Sequence, residues 1–313
     1  MLEKIVKTDE ITREEWLTYR RQGIGGSEAA VIVRLNRFGS PLRLWADKHG
    51  IGTEVEETEV MRQGTDFEEY VARRWSEATG KKVRRRNFMF RNSDFPFAIA
   101  DVDREVIGEN AGLECKATSL FNKSDFESGE IPPTYYVQRQ HYMAVMGYER
   151  MYLAVLVLSK AFYHFVIERD ENEISALMEQ EKNWWAEYVE GDSVPDPDGS
   201  EEDGQFIRSR FPDSDGGEVF LDTKSADFER MAVLDKEIKA LSSERDALKQ
   251  GIMQEMGEAS IGSTSSGWSA TWKQQVTNRL DSDRLKEKYP EVYQDCRRAS
   301  LTRVFRYKKA KAK

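Results

Sequence analysis

In the run from Gly112 to Lys116, a carboxylate and an ammonium stand two residues apart. Side chains of a β-strand alternate between its two faces, so Glu114 and Lys116 share one face of such a strand. The intervening Leu113 and Cys115 point to the other face and suit a core. Because an acid and a lysine are costly to bury unless a site uses them, this strand is predicted to pack with one face and to carry chemistry on the other.

Two aspartates precede this strand. The segment that begins at Phe95 is apolar and ends with Asp101 and Asp103. A polar turn at 108–110 lets this segment pair with the Glu114 strand as a hairpin. An Asp followed by Glu-x-Lys on the next strand supplies oxygen ligands for a divalent cation and a lysine that offsets charge on a phosphate. Because the pattern is short, a surface hairpin with a salt bridge explains it equally well.

A glycine-rich helix entry near the N-terminus suits an anion. Thr12 and Glu15 match a capping box and predict a helix over 12–22. Just beyond it, glycines lead into Ser27 at the start of a second helix, where free backbone N–H groups and a hydroxyl are available. With Arg20 upstream, these groups form a candidate phosphate pocket. An ordinary capped helix after a flexible turn is the simpler alternative, and the loop by itself favours it.

Two longer helices place a polar side chain next to an apolar stripe. The helix predicted over 59–79, ended by Gly80, carries Glu68 beside its stripe and four residues after a glycine that allows close approach. The helix predicted over 134–147 carries Gln138 on a core-facing stripe, where its amide can hydrogen-bond a carboxylate or a water. The stripe beside Glu68 comprises Val60, Phe67, Val71 and Trp75.

Elements beyond residue 150 complete a core and add an extension. Strands at 151–158 and 161–168 form a hairpin, and an amphipathic helix at 174–189 packs onto the sheet. Glycine, proline and acidic residues at 191–217 predict a loop or linker.

Apolar residues after that linker repeat at alternating steps of three and four, which indicates a long amphipathic helix at 227–256. Its coiled-coil-like stripe is short, so packing within its own domain is favoured over dimerisation. Two strands and a helix between them are predicted after it, at 266–276, 300–308 and 281–296.

Composition excludes several classes of protein. The 313 residues include 39% hydrophobic residues, enough for a large core, and the net charge of −9 does not by itself favour nucleic-acid binding, although a local basic groove matters more. Two cysteines, Cys115 and Cys296, predict a reducing compartment. His141 fits an exposed helix position, and three histidines give no imidazole metal site. Without an apolar leader or a long apolar run, a soluble, cytoplasmic protein is expected.

Five segments in this order resemble a known family. Each is weak by itself, but together they are specific. They are Arg20 with Ile24 to Ala30, Gly64 to Glu69, Ala100 to Arg104, Gly112 to Lys116, and Tyr135 to Tyr142. With them the chain resembles, over about residues 12 to 190, the YqaJ-type viral recombinases. These are phage alkaline exonucleases related to lambda exonuclease, within the PD-(D/E)xK nuclease superfamily.

The resemblance implies the fold and the domain organisation. It implies an α/β, restriction-endonuclease-like core with a central mixed β-sheet flanked by helices, followed by an α+β C-terminal extension. The expected parts are a nuclease core at 1–190, an acidic loop or linker at 191–218, and an extension at 219–313 that holds the long amphipathic helix and strands.

The resemblance also implies an activity and partners. The activity is Mg²⁺-dependent 5′-to-3′ digestion of double-stranded DNA, leaving 3′ single-stranded overhangs for recombination by single-strand annealing. The implied partners are double-stranded DNA ends, a phage single-strand annealing protein and further copies of the chain in a trimeric ring, without a membrane. A structure-specific or restriction-type endonuclease and a DNA-end-binding assembly module are the alternatives.

A metal site with two ions of Mg²⁺ or Mn²⁺ is implied at the acidic residues. The ligands carried over by resemblance are Glu68, Asp103, Glu114 and the backbone carbonyl of Cys115. The superfamily pattern has a proline before its aspartate and this chain has none, so Asp101 stays open as an alternative ligand. The Asp-Arg dipeptide at 103–104 favours Asp103.

The remaining implied roles concern the reaction and the DNA end. Lys116 is the implied catalytic lysine, and Gln138 is the helix amide that helps to hold the nucleophile. Arg20 and Ser27 are implied to bind the 5′-terminal phosphate. The basic run at 81–86 is a candidate phosphate track or a solvated loop.

Overall fold

Strands and helices alternate through most of the chain. The computed structural model describes residues 1–36, 39–52, 58–119, 126 and 129–309. The strands are β1 Leu2–Lys7, β2 Val83–Arg85, β3 Phe88–Asn92, β4 Phe95–Ala100, β5 Arg104–Val106, β6 Ala111–Thr118, β7 Arg150–Val157, β8 Ala161–Glu168, β9 Ile261–Ser263 and β10 Ser269–Thr271. The α-helices are α1 Arg13–Arg20, α2 Gly26–Ile32, α3 Pro41–Lys48, α4 Glu59–Thr79, α5 Pro133–Met146, α6 Glu171–Tyr188, α7 Glu201–Arg210, α8 Ser225–Met256, α9 Ser282–Lys288 and α10 Pro290–Asp295.

The central sheet is mixed, with its strands in the order β2-β5-β6-β7-β8. β6 and β7 are parallel, and the other neighbours are antiparallel. A parallel pair needs a long crossover, and α5 lies in the connection from β6 to β7. The predicted hairpin of two strands after residue 150 is confirmed as β7 and β8. Helices flank this sheet, as the sequence predicts.

The predicted hairpin that pairs the Phe95 segment with β6 is wrong. β4 ends at Ala100 and belongs to a separate antiparallel sheet with the order β1-β3-β4. The antiparallel partner of β6 is instead the short β5. The chain passes from one sheet to the other between β4 and β5, and Asp101 and Asp103 lie at this junction. Local sequence shows the strands but not their partners, because pairing joins distant residues.

Several helix ends follow from local residues alone. Thr12 Oγ1 accepts a hydrogen bond from the Glu15 backbone N–H at 3.2 Å, and Glu15 Oε2 accepts one from the Thr12 N–H at 2.8 Å. This confirms the predicted capping box, and α1 begins at Arg13. α4 ends at Gly80, whose φ of 72° is a left-handed conformation that glycine adopts without strain.

α4 covers one face of the central sheet. Val71 and Trp75 are fully buried in a cluster with Leu113, and Phe67 packs against that cluster. These positions confirm most of the predicted stripe. Val60 does not belong to it, because its side chain is 76% exposed. The apolar face of α4 therefore begins at Phe67, about two turns after the start of the helix.

α5 is buried on most sides, against α2, α6 and β4. The prediction that His141 is exposed is wrong: it is fully buried, with its Nδ1 2.8 Å from Glu181 Oε1 on α6 and its Nε2 2.9 Å from the Ile99 carbonyl oxygen. A helix without a charged face is typical of one that is surrounded by protein.

The range 191–217, expected to be a loop, contains α7. Phe206 of this helix is buried, and Asp203 accepts a hydrogen bond from the Ser40 hydroxyl at the start of α3. This contact ties α7 to the first of two compact units into which the chain divides, Met1–Arg210 and Phe211–Lys313. The stretch whose composition indicated a linker therefore contains a short helix that packs against the rest of the first unit through an apolar and an acidic residue.

The second unit is dominated by α8, which has no buried residue. β9 and β10 form an antiparallel pair. The helix predicted over 281–296 is divided into α9 and α10, because Pro290 cannot continue a helix but can start one. The predicted strand at 300–308 does not form. Among the described residues, no helix has the length and apolar character needed to cross a membrane.

Candidate active site

Glu114 and Lys116 lie on the face of β6 turned away from α4. Lys116 Nζ is 2.7 Å from Glu114 Oε1. Leu113 and Cys115, on the opposite face, pack into the cluster beneath α4. The alternation predicted for this strand therefore holds. Glu114 itself is only 3% exposed, so its negative charge requires nearby compensation.

Asp103 is attached to the same strand by its side chain. Its Oδ2 accepts a hydrogen bond from the Cys115 backbone N–H at 2.8 Å. The antiparallel pairing of β5 with β6 ends at Arg104, and this side chain takes the next free N–H of β6. Asp103 therefore lies beside the Glu114-Cys115-Lys116 run, as the sequence predicts, although not through a long hairpin.

Asp101 has a different partner. Its Oδ2 accepts a hydrogen bond from Trp16 Nε1 at 3.0 Å, which joins the sheet junction to α1. Burial raises the pKa of Asp101, with further contributions from Glu114 and Glu68. Of the two candidate aspartates, Asp103 is thus the one bonded directly to β6.

Gln138 of α5 holds Glu114 from the other side. Its Nε2 donates to Glu114 Oε1 at 3.1 Å and to the Tyr142 hydroxyl at 3.2 Å. The expectation that this amide meets a carboxylate is met. Arg139 was not predicted to take part, yet its buried Nη1 donates to Gln138 Oε1 at 2.8 Å and its Nη2 lies 3.8 Å from Glu114 Oε1. The sequence feature that could have indicated the role of Arg139 is its position on a helix that otherwise has no charged face.

The two buried carboxyl groups differ in their affinity for a proton. Burial and the neighbouring Glu114 raise the pKa of Asp103 well above its ordinary value, and Lys116 only partly offsets this. Burial also acts against ionisation of Glu114, but Lys116 and Arg139 outweigh it and hold the Glu114 pKa below its ordinary value. Ionising both groups together therefore calls for additional positive charge.

Glu68 is held by a cation of the protein. Arg104 donates to the Glu68 carboxylate, and its Nη2 donates to Glu69 Oε2 at 3.0 Å. Across the ranges that the structure describes, no three His, Cys, Asp or Glu side chains are gathered into a group able to hold a metal ion. The structure thus brings Asp103, Glu114 and Lys116 together, while Glu68 pairs with Arg104.

Asp103 and Glu114 nevertheless fit a divalent cation. Glu114 Oε2 is buried and has no hydrogen-bond partner in the described part of the chain. Burying a carboxylate oxygen without a hydrogen-bond partner costs free energy. Coordination of a hard divalent cation by this oxygen would offset that cost. The raised pKa of Asp103 reports the same shortage of positive charge.

A cavity of about 570 Å³ opens beside Asp103. Arg20 Nη2 donates to Ser27 Oγ at 2.7 Å, and both residues lie in the cavity wall. Candidate phosphate-binding and metal-binding residues therefore meet at one opening. The predicted site residues in the wall are Arg20, Ser27, Glu68, Asp101 and Asp103, whereas Glu114, Lys116 and Gln138 lie outside it.

Glu28 and Lys48 support this opening and were not predicted. Glu28 Oε1 accepts from Arg20 Nε at 3.0 Å, and its Oε2 accepts from Lys48 Nζ at 2.6 Å and from the Gly25 N–H at 2.8 Å. The pKa of Glu28 is lowered, because these two cations outweigh its burial. The Gly25-x-x-Glu28 spacing of a capping box was the signal in the sequence.

The basic run at 81–86 is largely neutralised by acidic partners. Arg84 and Arg86 both pair with Glu105, and Arg85 pairs with Glu69. Arg85 alone of this run lies in the cavity wall. A continuous phosphate track along 81–86 is therefore not what the structure shows.

Gly26 is a close-contact point between α2 and α5. A Cβ there would lie 2.7 Å from Tyr142 Cε1 and 2.9 Å from Gln138 Cγ. We expect Gly26→Ala to lower the free energy of unfolding by about 1–3 kcal/mol, the usual cost of overpacking. Urea unfolding followed by tryptophan fluorescence measures this loss.

Gly64 provides the matched control. The described part of the chain does not approach this residue closely, because nothing in it lies within 4 Å of a Cβ placed there. Gly64→Ala in the exposed part of α4 should raise the free energy of unfolding by about 0.5–1 kcal/mol. Equal effects of the two substitutions would contradict the close contact at Gly26.

Comparison with solved structures defines the class of fold. The structure of LHK-Exo in complex with dAMP matches with a TM-score of 0.50 at 18% identity, covering 63% of this chain and 97% of that one. LHK-Exo is an alkaline exonuclease from Laribacter hongkongensis, and a second crystal structure of it matches with a TM-score of 0.49, also at 18% identity, covering 63% and 98%. The predicted nuclease fold, with its central mixed sheet, is confirmed.

Sequence comparison identifies the family within that class. Residues 15–149 match the YqaJ-like viral recombinase domain. An uncharacterized protein YqaJ of Bacillus subtilis (strain 168) is 36% identical over 309 residues, which cover 97% of this chain and 96% of that protein. The chain belongs to the YqaJ-like viral recombinase family, and the resemblance noted in its sequence is confirmed. Every predicted site residue lies within 15–149.

Proposed function

We propose that this protein is a phage-type exonuclease that digests double-stranded DNA from the 5′ end. It leaves 3′ single-stranded overhangs for recombination by single-strand annealing. The observation that carries the proposal is the hydrogen bond from Cys115 to Asp103, which sets an aspartate beside the Glu114 and Lys116 pair of β6. Membership of a viral recombinase family and a nuclease fold support it.

The side chains of this site have separable tasks. The Lys116 ammonium can orient the attacking water and offset negative charge that develops on the phosphate. Glu114 keeps the pKa of Lys116 raised despite burial, so the ammonium stays charged at neutral pH. Gln138 and Arg139 restrict Glu114 to one position, because both approach the same carboxylate oxygen.

Nucleases of this class generally use divalent cations, and we assign Mg²⁺, replaceable by Mn²⁺, to two ions at this site. Asp103, Glu114 and the Cys115 carbonyl would hold them, with Asp101 as the less favoured aspartate. Glu68 would join only after it leaves Arg104. The cations supply relief of charge on the leaving oxygen and a water that is acidic near neutral pH.

The remaining assignments concern DNA and partners. Arg20 and Ser27 would bind the 5′-terminal phosphate, since both line the cavity that also contains Asp103. Guanidinium and hydroxyl groups are suited to phosphate oxygens. By family resemblance, three copies form a ring around the duplex in the host cytoplasm and pass the single strand to an annealing protein.

End-labelled DNA tests the activity. Linear duplexes labelled at either end, with and without a 5′ phosphate, are incubated with Mg²⁺ or with a chelator, beside a closed circular duplex. We expect Mg²⁺-dependent release of the 5′ label, survival of the 3′-ended strand and an intact circle. Cutting of the circle would indicate an endonuclease, and binding of ends without digestion would indicate an assembly module; either result refutes the proposal.

A single arginine should set the preference for phosphorylated ends. Arg20→Ala removes the guanidinium bonded to Ser27, so we expect the preference for 5′-phosphorylated over unphosphorylated ends to be lost while digestion continues. The neighbouring Arg21 is exposed and lies outside the cavity wall, so Arg21→Ala should keep the preference. Competition between the two ends in one reaction measures the ratio, and equal behaviour of both variants would contradict the assignment.

A further inference from the structure

The long helix α8 exposes an apolar seam that one residue, Arg245, interrupts. None of its 32 residues is buried. Five large apolar side chains along one side range from 37% to 66% exposed: Leu234, Ile238, Leu241, Leu248 and Ile252. Exposed apolar surface that continues over several turns is typical of an interaction site rather than of a free surface.

The seam has the repeat of a coiled coil. With Met231 at heptad position a, successive a positions hold Met, Ile, Arg and Ile, and the d positions at 234, 241 and 248 all hold Leu. Ile at a with Leu at d favours parallel pairs of helices over larger bundles. We propose that α8 pairs with α8 of a second copy of this chain, as a parallel, in-register, two-stranded coiled coil.

The flanking charges favour this pairing. In a parallel pair, position g of one helix faces the e position five residues later on the other. Arg230 then faces Asp235 of the second copy, and Glu244 faces Lys249 of the second copy. The other two g positions, Glu237 and Gly251, face Ser242 and Met256, so no like charges meet between g and e positions. The like-charge contact of this arrangement is Arg245, which faces Arg245 of the second copy at position a.

An antiparallel pair would be less favourable. It places g positions opposite g positions and e positions opposite e positions. In the register that aligns both isoleucines with leucines, Glu244 of one chain faces Glu244 of the other, and Asp235 of each chain faces Lys249 of the other. The antiparallel pair thus has two opposite-charge pairs by symmetry, whereas the parallel pair has four between its g and e positions. The larger number of opposite-charge pairs therefore favours the parallel orientation.

One polar residue, Tyr307, borders the seam, and another, Arg245, lies within it. Tyr307 donates a hydrogen bond to one oxygen of Asp235, and the Tyr307 ring lies 6.2 Å from the Phe228 ring. Asp235 and Phe228 both occupy e positions of α8. Arg245 occupies one a position, where its Nη2 reaches Asp246 at 3.2 Å. A single charged residue at a lowers the stability of a coiled coil but fixes its register.

Pairing by twos has a consequence for assembly. A two-stranded seam does not follow the three-fold symmetry of the proposed ring, so each helix pairs with a helix of a second ring and the assembly has an even number of copies. The inference does not depend on the nuclease activity, because it is tested without DNA.

Disulfide cross-linking of the full chain tests the seam directly. In a Cys296→Ser background, which leaves only the buried Cys115, cysteine is placed at Leu241, at Leu248 or at Ser243 on the outer face. We expect oxidation to convert more than about two thirds of the Leu241→Cys and Leu248→Cys chains into covalent dimers, since a three-stranded bundle would leave every third cysteine unpaired. Ser243→Cys should remain monomeric on a non-reducing gel.

Failure of either seam position to cross-link would overturn the proposal, because an antiparallel or unpaired helix cannot join both. Equal cross-linking of Ser243→Cys would also overturn it, since that result reports random collision. Circular dichroism checks that each variant keeps the wild-type helix content, which is expected because α8 has no buried residue.

A second measurement is the mass of the assembly in solution, compared between the wild type and variants with altered charges in α8. By light scattering, Leu241→Asp should halve the mass of the wild-type assembly, whereas Ser243→Asp should leave it unchanged. Glu244→Lys should weaken the assembly, and adding Lys249→Glu to the same chain should restore it by exchanging both members of the pair. An unchanged mass for Leu241→Asp, or no rescue by the double variant, refutes parallel pairing.

Discussion

Replacing Lys116 with alanine should lower hydrolysis of linear duplex DNA by about 10²–10³-fold, the usual effect of removing one preorganised charge-stabilising group. The fold should survive, because Glu114 keeps its contacts with Gln138 and Arg139 and the Lys116 side chain is 31% exposed. Steady-state digestion of an end-labelled duplex measures the loss, and thermal unfolding monitors the fold.

A second lysine serves as the control for Lys116. Lys160 lies in the exposed turn between β7 and β8, so Lys160→Ala removes the same charge without touching the site. It should digest DNA at the wild-type rate. Near-wild-type activity in the purified Lys116→Ala protein would remove β6 from the active site.

Glu114 calls for a more conservative change than alanine. Glu114→Ala would leave the fully buried Arg139 without its nearby counter-charge, and an unpaired buried charge destabilises the fold. Glu114→Gln keeps the side-chain shape, so loss of activity in this variant can be separated from unfolding.

The largest effect on stability is expected from the buried pair of His141 and Glu181. Both side chains are fully buried, and each ring nitrogen of His141 lies within 3 Å of an oxygen, which fits a doubly protonated imidazolium. Glu181 raises the pKa of His141 against the effect of burial. His141→Ala leaves Glu181 alone in the core and should cost about 3–5 kcal/mol.

Urea unfolding of His141→Ala measures this cost. The control is Glu201→Ala, which breaks an exposed ion pair with Arg208 at 2.8 Å and should cost no more than about 1 kcal/mol. A loss for His141→Ala that is no greater than for Glu201→Ala would show that the buried pair is not ionised.

Features that depend on neighbouring residues were predictable from the sequence. The capping box of Thr12 and Glu15 sets the start of α1, and Gly80 sets the end of α4. Strand alternation placed Glu114 and Lys116 on one face, because the direction of a side chain follows from backbone geometry alone. The family resemblance depended on such short segments in order.

Features that depend on distant residues were not predictable in this way. The sequence showed an apolar strand before Asp101, but not that it joins β1 and β3 rather than β6. His141 looked like a surface residue, because its partner Glu181 lies 40 positions away in another helix. α7 looked like a linker, since its docking contact reaches back to Ser40.

The sequence by itself determined the family, the nuclease fold class and the residues able to do chemistry, because these are carried by local patterns of residue type and spacing. Only the tertiary structure decided that Asp103 reaches β6 through its side chain, that Arg104 holds Glu68, and that Arg139 lies beneath Glu114. Each of these contacts joins separate elements of the fold. Their formation is governed by packing and burial, which no local pattern records.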